Sequence, residues 1–115
     1  MDTKNHLWEQ EFGAEYAIPQ EILDLHAADK LFDYSWHNDI RPSFGRNNEK
    51  GEVRLWVDHP DPKEREVGPD GKRFSVVFYP DEGGADTAID TDRVIEAIEV
   101  FRVEILRRLG IDWNS

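Results

Sequence analysis

His37 and Asp58 are the pair in this chain whose chemistry invites the first look, an imidazole able to act as a general base and a carboxylate able to orient it. Asp39 is a second candidate orienter, and His59 directly follows Asp58. Brought together by strand pairing, His37, Asp39, Asp58 and His59 would offer two imidazoles and two carboxylates, and two imidazoles with a carboxylate suit zinc or iron. Two features weigh against a metal. A regular strand turns His59 away from Asp58, and no two histidines stand three or four residues apart, as a helical site requires. There is no cysteine, which removes disulfides, thiolate ligands and a thiol nucleophile. Ser35 and Ser43 lack the Gly-x-Ser-x-Gly elbow, and neither a phosphate loop nor a dinucleotide fingerprint is present. No cofactor is expected.

A second constellation is built for contact. Trp56 and Tyr79 bring a large ring and a phenol, with Arg54, His37 and Asp58 as charged or titratable neighbours. Rings beside charges read as a binding patch if one sheet face collects them. The plain alternative is cross-strand pairing on a solvated face.

The elements that must position these residues follow from periodicity. In the stretch Gly51–Pro62, Val53, Leu55 and Val57 alternate with Arg54, Trp56 and Asp58, the two-residue period of a half-buried strand. Pro60 and Pro62 close it. Residues 72–79 form another strand, with Phe74, Val76 and Phe78 on one face and Ser75, Val77 and Tyr79 on the other. A first strand is expected over 32–41, Tyr34 and Trp36 facing the core while Ser35 and His37 face outward. Residues 43–50 are expected as a loop with Phe44 tucked inward, 81–88 as a Gly- and acid-rich connector, and Pro69–Asp70–Gly71 as a turn. His37, Arg54, Trp56, Asp58 and Tyr79 would thus share the outer face.

Helices flank this sheet. Pro19 is expected to open one that runs to about Lys30, with Ile22, Leu25 and His26 on one face, His26 as a core histidine. Asp90 is the expected cap of the other, Ile89 and Val94 forming a hydrophobic staple. That helix runs to about Leu109, with Arg107 and Arg108 in its last turn and Gly110 just beyond. Val94, Ile98, Phe101 and Ile105 make its core stripe, widened by Ile95, Leu106 and Leu109, while Val100 and Val103 fall off that stripe and either meet the N-terminal arm or mark a partner surface. Residues 1–18 carry Leu7, Trp8, Phe12, Tyr16 and Ile18 and are expected to pack on the domain. The fold class is α+β: one domain, 1–115, a two-layer sandwich of a three-stranded antiparallel meander between an N-terminal and a C-terminal helix.

Charge narrows the partner. The chain carries 25 acids against 14 bases, a net charge of −11 spread along its length. Such a surface repels phosphate and argues against nucleic acid. No stretch approaches the roughly 18 apolar residues of a membrane span, and no leader is visible, so a soluble, cytoplasmic protein is expected. The leading expectation is a small acidic protein–protein interaction domain of inhibitor, immunity or adaptor type. It binds through the outer sheet face, prefers a basic partner, and is itself a monomer or weak homodimer. The alternative is a metal-dependent or acid–base enzyme using His37 and Asp58.

Overall fold

The computed structural model describes residues 7–36, 39 and 41–113. His37 therefore lies outside the described residues, and so do His6, Asn38 and Ile40. Helix α1 (Leu7–Phe12) and a 3₁₀ turn (Ala14–Tyr16) lead into α2 (Gln20–Ala27). Five strands follow: β1 (Phe32–Asp33), β2 (Ser43–Asn48), β3 (Gly51–Val57), β4 (Phe74–Pro80) and β5 (Asp86–Thr91). Helix α3 (Val94–Leu109) closes the chain. The strands form one antiparallel sheet in the order β1-β2-β3-β4-β5, so the class is α+β with five strands rather than three.

The meander is larger than expected because two stretches not expected as strands pair. Ser43–Asn48, read as a loop, has no β-branched residue, yet it pairs with β3 over six positions and buries Phe44 completely. The two-residue turn Glu49–Lys50 sets that register, with the Asn48 side chain accepting the Lys50 amide at 2.9 Å. Gly51 has φ 138°, and a Cβ there would lie 2.5 Å from the Tyr79 carbonyl oxygen, so β3 must begin with glycine. Asp86–Thr91, read as part connector and part helix cap, pairs with β4 through a register shift at Val76/Val77.

The expected first strand is the other correction. β1 spans two residues; one further ladder bond runs from the Tyr34 amide to the Ser43 carbonyl at 2.9 Å, and the Asp33 carboxylate accepts the amides of Trp8 and Ser35, each at 3.0 Å. Its alternation is inverted: Ser35 is buried, whereas Phe32 and Trp36 are 40% and 51% exposed.

One face of the sheet carries the core. Val53, Leu55, Val57, Phe74, Val76 and Phe78 pack under α3 and against Ile22 of α2. Each such fully buried side chain contributes about 1.5–3 kcal/mol relative to exposure. The N-terminal arm packs as expected, with Trp8, Tyr16 and Ile18 buried in the same cluster. His26 is buried too, its Nδ1 3.4 Å from the Leu31 carbonyl oxygen.

The helix ends differ in how well they match expectation. Pro19 sits at the N-cap of α2, one position before the helix, and the helix stops at Ala27 where Asp29 takes φ 60°. Asp90 lies within β5, so Thr91 organises the start of α3: its hydroxyl accepts the Arg93 amide at 3.1 Å and donates to Glu96 at 2.6 Å. The far end matches, with Arg107 and Arg108 in the last turn and Gly110 left-handed at φ 71°. The buried stripe of α3 is Ala97, Phe101, Glu104, Ile105 and Leu109. Ile95, Val103 and Leu106 are exposed, and Val100 is half-buried against the core. No helix among the described residues is long and apolar enough to cross a membrane.

Candidate functional site

The sheet face turned away from the core is the candidate site, and its rows follow from register. Ser43, Trp56 and Ser75 lie across from one another, as do Gly45, Arg54 and Val77, and then Asn47, Glu52 and Tyr79. None of the apolar core cluster comes from these rows. Over Gly45 lies Tyr34, whose ring needs the missing side chain: a Cβ there would meet its Cε2 at 3.0 Å and the Val53 carbonyl oxygen at 2.5 Å. The Tyr34 hydroxyl donates to Asn47 Oδ1 at 2.9 Å.

Three rings surround one guanidinium. The Arg54 Cζ lies 5.1 Å from the Trp56 ring centre, 5.4 Å from Tyr34 and 6.0 Å from Tyr79. Glu52 Oε1 accepts from Arg54 Nη2 at 2.6 Å and from Nε at 3.1 Å, while Asp39 stands 3.7 Å from Nη1. Trp56 Nε1 donates to the Tyr79 hydroxyl at 2.9 Å, which fixes both rings. Burial raises the Tyr34 phenol above its ordinary pKa, and the Glu52 charge adds to this against opposition from Arg46 and Arg54. The patch is therefore half-buried, polar-tipped and rigid.

Beside it, a half-open cavity of about 330 Å³ is lined by Arg41, Val67, Gly71, Lys72, Ser75 and Asp90, among others. Arg41 links the two, its guanidinium carbon 5.5 Å from the Trp56 ring.

Asp58 occupies a different situation from the one expected. It is fully buried rather than displayed on the outer face. Its Oδ1 accepts the amides of His59 at 2.8 Å and Glu66 at 3.1 Å, and its Oδ2 accepts that of Val67 at 3.3 Å. The connection from 58 to 73 folds over the end of the sheet to deliver those amides. Arg41 lies 3.7 Å from Oδ2. Two arginines complete the anchor. Arg73 donates from Nε to the Asp58 carbonyl at 3.1 Å and from Nη2 to the Tyr16 and Ala17 carbonyls at 2.8 and 3.0 Å. Arg65 donates to the carbonyls of His59 and Gly71, both at 2.9 Å, and to Asp92 at 3.0 Å. The backbone amide of Arg73 holds the Asp92 carboxyl below its usual range, aided by the Arg65 and Lys72 charges.

The candidate metal residues that the structure describes, Asp39, Asp58 and His59, do not converge. The His59 ring packs edge-on against Tyr16 with centroids 5.4 Å apart, and its Nδ1 accepts the Asp61 amide at 3.0 Å. Asp39 stands on the outer face beside Arg54. Among the described residues there is no group of three or more metal-ligating side chains.

Trp56, Tyr79 and Arg54 thus come together as the alternation of β3 and β4 implies. Tyr34, Glu52, Gly45 and Arg41 were missed. Gly45 was the available signal, since a glycine inside a pairing segment marks close approach of another group. The chain matches no protein family, no curated protein and no solved structure.

Proposed function

We propose that this chain is a small acidic protein-interaction domain that docks through the outer face of β2–β4, with Trp56 and Tyr79 as its anchors. The observation that carries this reading is the cluster of Tyr34, Trp56 and Tyr79 around Arg54, with Trp56 hydrogen-bonded to Tyr79, on a face whose residues lie outside the main apolar cluster. Trp, Tyr and Arg are the residue types that dominate binding hot spots. Rings already fixed in place lose little freedom on contact. The adjoining cavity gives a partner side chain a seat beside Trp56. A net charge of −11 favours a basic partner through steering and complementarity. A cytoplasmic monomer is the form in which we picture it acting.

The acid–base alternative is less well supported, because the carboxylate it needs is engaged with three backbone amides. The test is parallel capture with wild-type and Trp56→Ala baits, followed by titration of any protein the wild type enriches. The proposal expects Trp56→Ala to weaken that affinity about thirtyfold, or 2 kcal/mol. An unchanged Kd removes the outer face from the contact.

A further inference from the structure

β5 is the long open edge of the sheet. It stands last in the strand order and pairs with β4 alone. Among the described residues, no backbone hydrogen bond outside the sheet engages 86–91. Alternate residues of such an edge turn their N–H and C=O groups to solvent, a template roughly 20 Å long for six residues. The opposite edge, β1, has two residues and offers no comparable template.

Charge selects what can pair there. Residues 81–92 hold five acids, Asp81, Glu82, Asp86, Asp90 and Asp92, and no base. Cations from elsewhere reach two of them: Arg108 meets Asp86 at 2.7 Å, while Arg65 and Lys72 meet Asp92 at 3.0 and 3.7 Å. Five acids against those three cations leave an excess of two negative charges along the edge. A second copy of this chain pairing antiparallel would set acid against acid, which destabilises a ladder. Register places Asp90 on the outer side of the sheet, opposite Ser75, and Asp86 on the helix side, opposite Phe78.

We infer that β5 accepts a basic, extended segment of a partner protein as a sixth strand. Main-chain hydrogen bonds supply the pairing, and lysines or arginines of the segment meet Asp90 on one side and Asp86 on the other. This surface meets the outer-face cavity at Asp90, but the Trp56 ring lies two strands inward and takes no part in edge pairing.

The test uses the full chain, ¹⁵N-labelled, titrated with a capped seven-residue peptide in which a lysine pair at each end flanks threonine and valine, so that lysines stand on both faces of the added strand. Three controls are the same peptide N-methylated at alternate amides, its glutamate counterpart, and the Trp56→Ala protein. The expected result is shift changes and slowed hydrogen exchange centred on 86–91, at least a tenfold loss with the N-methylated peptide, and no binding of the glutamate peptide. Trp56→Ala should bind the lysine peptide as wild type does, so a failure here leaves the outer-face reading standing. Equal binding of the N-methylated peptide, shifts centred on the Trp56 indole, or no shifts at millimolar peptide would each overturn the inference.

Discussion

Arg54 and Asp58 lie four residues apart on the same side of the chain, yet they have opposite fates. Arg54 stays at the surface, one-fifth exposed, wrapped by three rings and balanced by Glu52. Asp58 disappears beneath the connection that follows it, with no exposed area and its oxygens taken by main-chain amides. Strand alternation decides which face a side chain joins. Whether that face is then covered depends on where the next loop goes. One charged residue becomes part of a surface for contact, and the other becomes the peg on which a sixteen-residue excursion hangs, 58 to 73.

The sharpest way to break this comparison is Asp58→Ala. It leaves three amides and the nearby Arg41 without their acceptor, and should cost about 3 kcal/mol or more of stability in denaturant unfolding. A cost below about 1 kcal/mol would mean the loop is held by its arginines instead. Next comes Gly45→Ala, which drives a methyl group into the Tyr34 ring and the neighbouring strand. Overpacking of this kind should cost about 1–3 kcal/mol and displace Tyr34, visible as loss of the Tyr34 pKa elevation in a phenol titration.

Arg54→Gln should be milder, about 1 kcal/mol in stability, because cation–π and partly exposed ion-pair contacts are individually modest. The smallest effect is acid sensitivity of the 58–73 connection through Asp92. Its carboxyl titrates below the usual range in the folded chain. The sign follows: its contribution is present above the ordinary carboxylate pKa and is lost as pH falls through the lowered value. The group is half exposed, so Asp92→Asn should cost about 0.5 kcal/mol at neutral pH, and this cost should shrink as the pH is lowered. A pH series of urea melts checks both points.

The inner face was readable because its residues are strong formers with clear periods. Val53, Leu55 and Val57 on β3, and Phe74, Val76 and Phe78 on β4, are all buried as their alternation implies. The end of α3 was equally plain in Arg107, Arg108 and Gly110. What escaped depends on partners distant in sequence. Ser43–Asn48 pairs because β3 lies next to it, and no local propensity announces that. Tyr34 turns outward because pairing sets Phe32 opposite Gly45 on the outer face and Tyr34 follows two residues on, a face that the alternation of 32–36 alone does not choose. Asp90, a good helix cap by type, serves in β5 instead, and Thr91 organises the helix start. The candidate site was therefore half legible: Trp56, Tyr79 and Arg54 share one face as their alternation implies, Glu52 follows from that same alternation on β3, and Tyr34 joins them through register.

The claim that the outer face is the docking surface is tested most directly by footprinting the complex with the captured partner. Hydroxyl-radical labelling should show Trp56, Tyr79 and Tyr34 protected on binding, with Leu106 and Val103 of α3 labelled as in the free chain. Protection of α3 with Trp56 and Tyr79 unchanged would contradict the account.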